Sequence, residues 1–345
     1  MKAKPHVVFM WPGLPDYGAR LIRGFIETDS AHVQVIATRP AVPIQGMETS
    51  LGQAVHWVED ESQFSWYGLG LRIPDVLFQG GWAHSNFRSL AAEARQQGAK
   101  VVLINDQNWQ GGFKQIVLDP LRYRAKYLKL FEAVFVPGKS GARYARAVGF
   151  DTSRIATGLY GADPIVFHGG AALKMRPKNF LFVGQLIARK NILLLAQAFL
   201  NLASDFPEWR LNICGSGELH AQIPVHPQIH VQGFVQPAEL AEKLRQSRCL
   251  VLPSLEEHWG LVVHEAACCG CALALSNTVG SGDDFSAETF EPRDIKSIEN
   301  SLRHIAAWSD AEWQAAEDRS RQAARKFGPA LFAHSVQQLV NGVLQ

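Results

Sequence analysis

The chain has 345 residues, 47% of them hydrophobic, which is enough for a sizeable core and suits two domains of about 150 residues each. Its formal net charge of +2 argues against general binding to nucleic acid, which needs a basic surface. No apolar run reaches the ~20 residues of a membrane-spanning helix, and the chain starts without a signal peptide pattern. We therefore expect a cytoplasmic protein.

Apolar runs that alternate with helical segments predict a parallel sheet in the first half of the chain. Continuous apolar strands are typical of a sheet that is covered on both faces. The predicted strands are 7–10, 33–37, 76–78, 101–104 and 133–136, and the predicted helices are 19–28, 85–98, 121–131 and 140–148.

Basic side chains cluster between residues 120 and 150, where Glu132 is the one acidic residue. Apolar residues such as Leu121 and Leu128 are interleaved with them. A solvated helix face is the simpler interpretation of such a cluster. Weak peripheral contact with anionic lipid at the inner face of the membrane is the alternative. The bases are Arg122, Arg124, Lys126, Lys129, Lys139, Arg143 and Arg146.

A stretch with several Pro and Gly residues, 162–178, interrupts the alternation and predicts a linker between two domains. The pattern then restarts, and a helical tail over 310–344 is broken at Gly328-Pro329. The sequence therefore predicts an α/β protein with two doubly wound domains, 1–165 and 166–329. The predicted elements of the second domain are 180–183, 191–206, 210–214, 229–231, 237–247, 249–252, 261–269 and 272–275.

Five cysteines fit a reducing compartment, where disulfides are rare. Three of them, Cys268, Cys269 and Cys271, crowd the end of one predicted helix. A metal site is one interpretation of this Cys-Cys-Gly-Cys run. Small buried thiols beside a Gly turn are the simpler one.

The stretch 253–266 is the most informative part of the chain. It follows the apolar run 249–252 and contains two carboxylates, Glu257 and Glu265, with seven residues between them. Gly260 lets a ligand approach the backbone, and the free amides of a helix start favour an anion. Because a Glu with a reference pKa of about 4.3 is ionised at pH 7, we expect both carboxylates to accept hydrogen bonds from sugar hydroxyls.

A second candidate element follows the predicted strand 180–183. Its loop contains Gln185, Arg189 and Lys190 just before a predicted helix. The helix dipole disfavours cations at a helix N-terminus. An anionic ligand that binds nearby is one explanation for two of them there. Lys190 would stabilise the charge that develops on a departing nucleoside diphosphate. A solvent-facing Arg-Lys pair is the alternative.

The string that runs from Pro253-Ser254 through Trp259-Gly260 to Glu265-Ala266 resembles the E-x7-E signature of glycosyltransferase family 4. These are retaining enzymes of the GT-B fold, in which two Rossmann-like domains face a central cleft. The resemblance is dense over 180–325 and covers the first domain only in outline. It also implies that a last helix, 330–345, packs back on the first domain.

The resemblance implies transfer of a hexose-type sugar, with retention, from a nucleotide diphosphate to a saccharide, lipid-linked or small-molecule acceptor. Such a reaction would belong to bacterial glycan or glycolipid synthesis. It would need no cofactor, and no obligate metal is expected, since the chain lacks an Asp-x-Asp motif and a lysine can clamp the diphosphate.

The resemblance also implies roles for individual residues. Gln185 stands where the family has an Arg that clamps the diphosphate beside Lys190, and Arg189 is the candidate for the missing charge. Glu257 would hold the donor sugar and Glu265 the ribose. The predicted donor-binding residues are Gly13, Gln185, Arg189, Lys190, Gly215, Phe234, Val235, Glu257, His258, Trp259, Gly260, Leu261 and Glu265. Core packing is an equally good explanation of Phe234.

The first domain departs from the family at one position. Many members have a His after the strand 101–104, and this chain has Asn105 and Asp106 there instead. The loop 105–112 is rich in amides and contains a Trp, which is typical of carbohydrate contact, and a structural cluster of turns is the competing interpretation. The predicted catalytic residues are Lys190, Glu257, Asp106 and Asn105.

Other classes of protein stay open. A nucleotide-sugar epimerase or a glycosyl phosphorylase on related architecture would differ in its products. Gln185 and the missing His keep open an inactive sugar-nucleotide-binding module as the non-enzyme alternative. A glycosidase that uses Glu257 and Glu265 is disfavoured, since hydrolysis needs no cation clamp and requires two carboxyls that flank one bond.

Overall fold

Each of the two units of this chain is built around one parallel sheet. Unit 1 comprises residues 1–161 and 327–345, and unit 2 comprises residues 162–326. The strand pairs of both sheets are parallel, so the predicted α/β class with two doubly wound sheets is confirmed. The computed structural model describes residues 3–40, 47–59 and 64–345.

Unit 1 contains a seven-stranded sheet in the order β3-β2-β1-β4-β5-β6-β7. The order changes direction between β1 and β4, which defines the switch point of a doubly wound sheet. The strands are β1 (His6–Trp11), β2 (His32–Ala37), β3 (His56–Trp57), β4 (Val76–Gly80), β5 (Lys100–Ile104), β6 (Ala133–Val136) and β7 (Ile155–Thr157).

Unit 2 contains a six-stranded sheet in the order β10-β9-β8-β11-β12-β13. Its switch point lies between β8 and β11. The strands are β8 (Asn179–Val183), β9 (Arg210–Cys214), β10 (Ile229–Gln232), β11 (Cys249–Leu252), β12 (Ala272–Ser276) and β13 (Glu288–Phe290).

Most helices of both units connect successive strands, and the last three follow the final strand, β13. Unit 1 has α1 (Asp16–Ile26), α2 (Met47–Leu51), α3 (Ser85–Gln96), α4 (Asp119–Lys126) and α5 (Lys139–Val148). Unit 2 has α6 (Ile192–Ala203), α7 (Pro237–Arg245), α8 (Leu261–Cys268), α9 (Gly282–Phe285), α10 (Ile295–Ala306) and α11 (Asp310–Ala324). The last helix, α12 (Pro329–Leu344), belongs to unit 1. No helix in the described part of the chain is both long and apolar enough to cross a bilayer.

The two faces of the unit 1 sheet are covered by separate cores. Alternate residues of a strand point to opposite faces, and Phe9 belongs to one core while Val8 belongs to the other. Helices α1 and α12 cover the Phe9 face, where Phe332 of α12 stacks on Phe9. Gly24 lets the two helices approach, because a Cβ there would lie 3.0 Å from the Pro329 side chain.

The stretch 162–178, predicted as a linker, belongs to unit 2. Arg176 within it is buried, and its guanidinium donates hydrogen bonds to the carbonyl oxygens of Leu244, Ser247 and Cys269. Those carbonyls lie at or just beyond the C-terminal ends of α7 and α8, where the helix dipole favours a cation. This part of the stretch predicted as an interdomain linker is therefore packed into unit 2.

The cysteines are free thiols within unit 2. Burial raises the pKa of Cys268 and of Cys269 to about 12 and that of Cys271 to about 11, so these thiols are protonated at neutral pH. In the ranges that the structure describes, no group of three or more His, Cys, Asp or Glu side chains is arranged to hold a metal ion.

Candidate functional site

The side chains of Lys190 and Glu257 meet at the switch point of the unit 2 sheet. Lys190 follows β8 and Glu257 follows β11, the two strands between which the strand order changes direction. The Lys190 ammonium donates a hydrogen bond to Oε2 of Glu257, and the two side chains are only 12% and 13% exposed. Ligands of doubly wound sheets bind beyond the carboxyl ends of the strands at this point. The structure thus brings two predicted catalytic residues together in the expected place.

Further polar groups surround the Glu257 carboxylate. Ser254 donates its hydroxyl to Oε2 at 3.3 Å, and the Nη1 atom of Arg189 lies 3.8 Å from the same oxygen. Arg189 also donates to the backbone carbonyl of Glu256 at 2.8 Å. The two cations before α6 therefore have a carboxylate partner in the chain itself. Glu257 therefore supplies the negative charge beside these two cations in the ligand-free chain.

Close contact between two loops fixes the path of the backbone before Lys190. A Cβ on Gly215 would overlap the carbonyl oxygen of Gly184, so only glycine allows the β9 loop to lie against the β8 loop. Leu186 then donates its N–H to the carbonyl of Ser216 at 2.8 Å. The stem of Lys190 passes Gly184, where a Cβ would lie 3.7 Å from Cε. Gly215 therefore helps to position Lys190 indirectly, through the loop that follows β8.

Gly260 starts the helix that carries Glu265. Its φ of +75° lies in the left-handed region, which favours glycine. A Cβ there would lie 3.2 Å from Cγ of Glu257, so the residue also leaves room for that side chain. Trp259 is buried, with its ring edge-on to Phe285. Leu261 is the first residue of α8, and His258 lies 3.6 Å from the carboxylate of Glu256.

Glu265 is half-buried on α8, and burial raises the pKa of its carboxyl to about 8. In the described ranges its carboxyl has no hydrogen-bond or ion-pair partner. It is therefore protonated at pH 7, and the expectation of an ionised Glu265 was wrong for the ligand-free chain. A protonated carboxyl can both donate and accept a hydrogen bond.

The remaining predicted residues of unit 2 lie at the same edge of the sheet. Gln185 is exposed just after β8, and Phe234 and Val235 follow β10. Phe234 is 54% exposed, so core packing does not explain it, whereas the Val235 side chain is buried. In the described part of the chain these three residues make no hydrogen bond with Lys190 or Glu257.

In unit 1, Asn105 and Asp106 lie just beyond β5. Asn105 is buried, and its Oδ1 accepts the N–H of Gln107 at 3.1 Å, which closes the turn of its own loop. The structure thus favours the structural interpretation for Asn105. Gly13, in the loop after β1, donates its N–H to the hydroxyl of Thr38 at 2.8 Å, so this amide already has a hydrogen-bond partner within unit 1.

Two tyrosines beside Asp106 were not predicted. Tyr160 donates its hydroxyl to Oδ2 of Asp106 at 3.1 Å, and the ring of Tyr17 lies edge-on to Tyr160 at 5.3 Å. Burial raises the pKa of both phenols, which keeps them neutral. Both tyrosines lie shortly after a strand, β1 or β7. Because functional groups of such sheets gather beyond the carboxyl ends of the strands, these positions could have identified them from the sequence.

His264 is a structural residue of unit 2. Its Nδ1 accepts the N–H of Ala162 at 2.8 Å, while Nε2 lies 3.0 Å from the carbonyl of Ala324. This pair of partners requires the neutral ring with its proton on Nε2. Burial lowers the pKa of His264 to about 4, so the ring is neutral at physiological pH.

Residues 167–326 match the family model of the glycosyl transferases group 1. The chain is 30% identical over 161 residues to a glycogen synthase of Mycobacterium tuberculosis, an alignment that covers 44% of this chain and 38% of that relative. The chain therefore spans well under half of the length of the curated relative that it matches.

Solved structures resemble the chain over almost its whole length. A glycosyltransferase from Rickettsia africae ESF-5 has a TM-score of 0.74 at 12% identity and covers 99% of both chains. Anabaena HepE, solved in complex with UDP-glucose, has a TM-score of 0.72 at 12% identity and covers 98% of this chain and 100% of its own. The chain thus has the two-domain α/β fold of known glycosyltransferases, and its residues 167–326 carry the match to the glycosyl transferases group 1.

Proposed function

We propose that this protein is a retaining glycosyltransferase that moves a hexose-type sugar from a nucleotide diphosphate to a saccharide, lipid-linked or small-molecule acceptor. The observation that carries the proposal is the contact of Lys190 with Glu257 at the switch point of unit 2. Both residues lie in the segment that matches the glycosyl transferases group 1. The resemblance to family 4 favours retention of configuration.

The ion pair suggests how the donor is held. The donor's diphosphate carries more charge than one carboxylate, so it can displace Glu257 as the partner of Lys190. Cleavage of the sugar–phosphate bond then leaves additional charge on the nucleoside diphosphate, which the fixed ammonium stabilises. Glu257, released from the lysine, is free to accept hydrogen bonds from the sugar hydroxyls.

Glu265 is proposed to bind the ribose of the nucleotide. Its neutral carboxyl can accept a hydrogen bond from one ribose hydroxyl and donate one to another. The position of Glu265 on α8, the helix that follows the loop of Glu257, supports a ligand role. Arg189 is the proposed second cation for the diphosphate, since Gln185 brings no charge.

No separate base of the protein is required in this proposal. A phosphate oxygen of the departing nucleotide can take the proton of the acceptor hydroxyl as the new glycosidic bond forms. Lys190 supplies the positive charge, so the proposal includes neither a cofactor nor an obligate metal. Because HepE was solved with UDP-glucose, that compound is the first donor to test.

The test measures release of UDP from UDP-glucose, followed by a panel of other nucleotide sugars. We expect slow donor hydrolysis by the wild-type protein and a loss of about 100-fold or more in Lys190→Ala, as for other fixed groups that stabilise developing charge. Lys178→Ala is the matched control, because Lys178 lies in the same unit and pairs with Glu208 at the surface.

Two outcomes would reject the proposal. A protein that binds nucleotide sugars but turns over none of them in either form would be a binding module. Release of an epimer or a sugar phosphate instead of a free sugar or glycoside would indicate an epimerase or a phosphorylase. Binding is followed by thermal shift, because a ligand at 100 times its Kd stabilises by about 2.7 kcal/mol.

A further inference from the structure

Five large apolar side chains are exposed within a short stretch of unit 1. Each of them is more than half exposed, and in the described ranges they make up five of the twelve exposed large hydrophobic residues. Isolated exposed apolar residues are normal, but a group of this size marks an interaction surface. They are Phe113, Ile116, Leu118, Leu121 and Leu128.

The fold holds these side chains on the outside. A helical turn, Lys114–Leu118, runs directly into α4, and two buried tyrosines, one within α4 and one just after it, anchor its inner side. Tyr123 and Tyr127 pack on Trp82, with ring centroids 6.2 Å and 5.4 Å apart. This aromatic cluster fills the inner side of the segment, and the five apolar side chains lie outside it in the native packing.

The same stretch is strongly basic. Between residues 110 and 150 there are eight Lys and Arg residues and two acids, a formal charge of +6 in a chain whose total is +2. Both acids already have partners: Asp119 accepts hydrogen bonds from Tyr144 and Lys114, and Glu132 pairs with Arg95. The exposed bases are Lys114, Arg122, Arg124, Lys126, Lys129, Lys139, Arg143 and Arg146.

We propose that this basic-apolar face, residues 113–129 together with the exposed side of α5, docks unit 1 reversibly on an anionic lipid bilayer. Helix α5 packs against α4 and so extends the basic area. The apolar side chains would enter the boundary between headgroups and acyl chains, while the bases meet the lipid phosphates.

The combination of features favours a bilayer over other occupants. A nucleic acid would use the bases but would leave Ile116, Leu118 and Leu121 in water. A second copy of this chain would bring the same positive charges together. An anionic bilayer satisfies the charges and the apolar side chains at once. The proposal does not rest on the transferase activity, because docking needs no sugar donor.

The test is co-sedimentation of the full chain with vesicles of phosphatidylcholine, with and without phosphatidylglycerol. We expect binding only to the anionic vesicles and release at high salt. The variant Phe113→Asn/Leu121→Asn should lower the partition coefficient about tenfold, since it removes two apolar side chains from the contact. The variant Lys126→Glu/Lys129→Glu should lower it by about 25-fold or more, since each basic side chain near such a surface contributes about fivefold.

Matched controls lie on unit 2. Ile165→Asn/Val225→Asn removes two exposed apolar side chains, and Arg319→Glu/Lys326→Glu reverses two exposed charges. Both controls should bind vesicles like the wild type. Equal binding to neutral vesicles, or an equal loss in a control and its matched variant, would overturn the proposal. So would a dimer in solution that Phe113→Asn/Leu121→Asn dissociates, because the face would then be covered by a second copy.

Discussion

Lys190 and Glu257 are 67 residues apart in the sequence, yet they form a hydrogen-bonded ion pair at the one point where the strand order of unit 2 changes direction. Their contact depends on the adjacency of β8 and β11, which pair at Phe180 and Cys249. A carboxylate that neutralises the lysine in the ligand-free chain must compete with any anion that enters the site.

Glu257→Gln should separate binding of the nucleotide from turnover. Removal of the negative charge frees Lys190 for a diphosphate, so we expect the affinity for UDP to stay equal or to rise a few-fold. Turnover of the donor should fall by about 100-fold, because the amide holds the sugar hydroxyls less well than a carboxylate does. Isothermal titration with UDP and the UDP-release assay measure the two effects.

Glu256→Gln is the control for this change, since Glu256 is exposed and precedes Glu257 directly. It should alter neither quantity. A loss of UDP affinity in Glu257→Gln as large as its loss of turnover would show that the carboxylate is needed to keep Lys190 in place.

Glu265 should make the protein less stable as the pH rises. Its pKa is about 8 in the folded chain and about 4.3 in an unfolded one, so the folded state binds the extra proton between these values. The stabilisation is complete below pH 4.3 and is lost progressively up to about pH 8. Glu265→Gln keeps the shape without the charge, so it should raise the free energy of unfolding at pH 8 by about 4 kcal/mol.

Urea unfolding at pH 5 and at pH 8 tests this dependence. Glu218→Gln, a change of an exposed glutamate in the same unit, should leave the pH profile unchanged. A wild-type profile that is flat from pH 5 to pH 8 would contradict a protonated Glu265. If Glu265 binds ribose, Glu265→Gln should also weaken UDP binding.

Sequence patterns could locate the strands that are apolar throughout. Strands β1, β8 and β11 were predicted because each is a continuous buried run. The short strands β3 and β7, of two and three residues and only partly buried, were missed because they carry no such run. A strand could therefore be predicted from the sequence only where it contains a continuous apolar run.

Local motifs select Lys190, Glu257 and Glu265 as candidates one by one, but they do not give the arrangement of these residues. Their relations depend on strand order and on burial, which a local pattern does not encode. For this reason the ion pair between Lys190 and Glu257, the raised pKa of Glu265 and the contact of Tyr160 with Asp106 emerged only from the structure.

His264 should make the protein sensitive to acid. Its pKa is about 4 when folded and about 6.5 when unfolded, so the unfolded state binds more protons between these values. Stability should fall as the pH drops through 6.5 and should continue to fall to about pH 4, by up to about 3 kcal/mol in total. His264→Gln, whose amide can accept from Ala162 and donate to Ala324, should flatten this part of the profile.

Thermal unfolding between pH 4 and pH 7 is the measurement for His264. The exposed residue His220 of unit 2 provides the control His220→Gln, which should retain the acid sensitivity of the wild type. An equally steep profile in His264→Gln would place the acid-sensitive group elsewhere.

Gly215→Ala should disturb the site through the backbone. The new methyl group would overlap the carbonyl oxygen of Gly184, and because both groups belong to fixed loops, the β8 loop that carries Lys190 has to move. We expect a loss of about 2 kcal/mol in stability, as is common for forced overpacking, together with weaker UDP binding. Gly233→Ala is the matched control, because nothing lies within 4 Å of its new Cβ. A Gly215→Ala protein that matches Gly233→Ala in urea unfolding and in UDP titration would show that the contact of the two loops does not position Lys190.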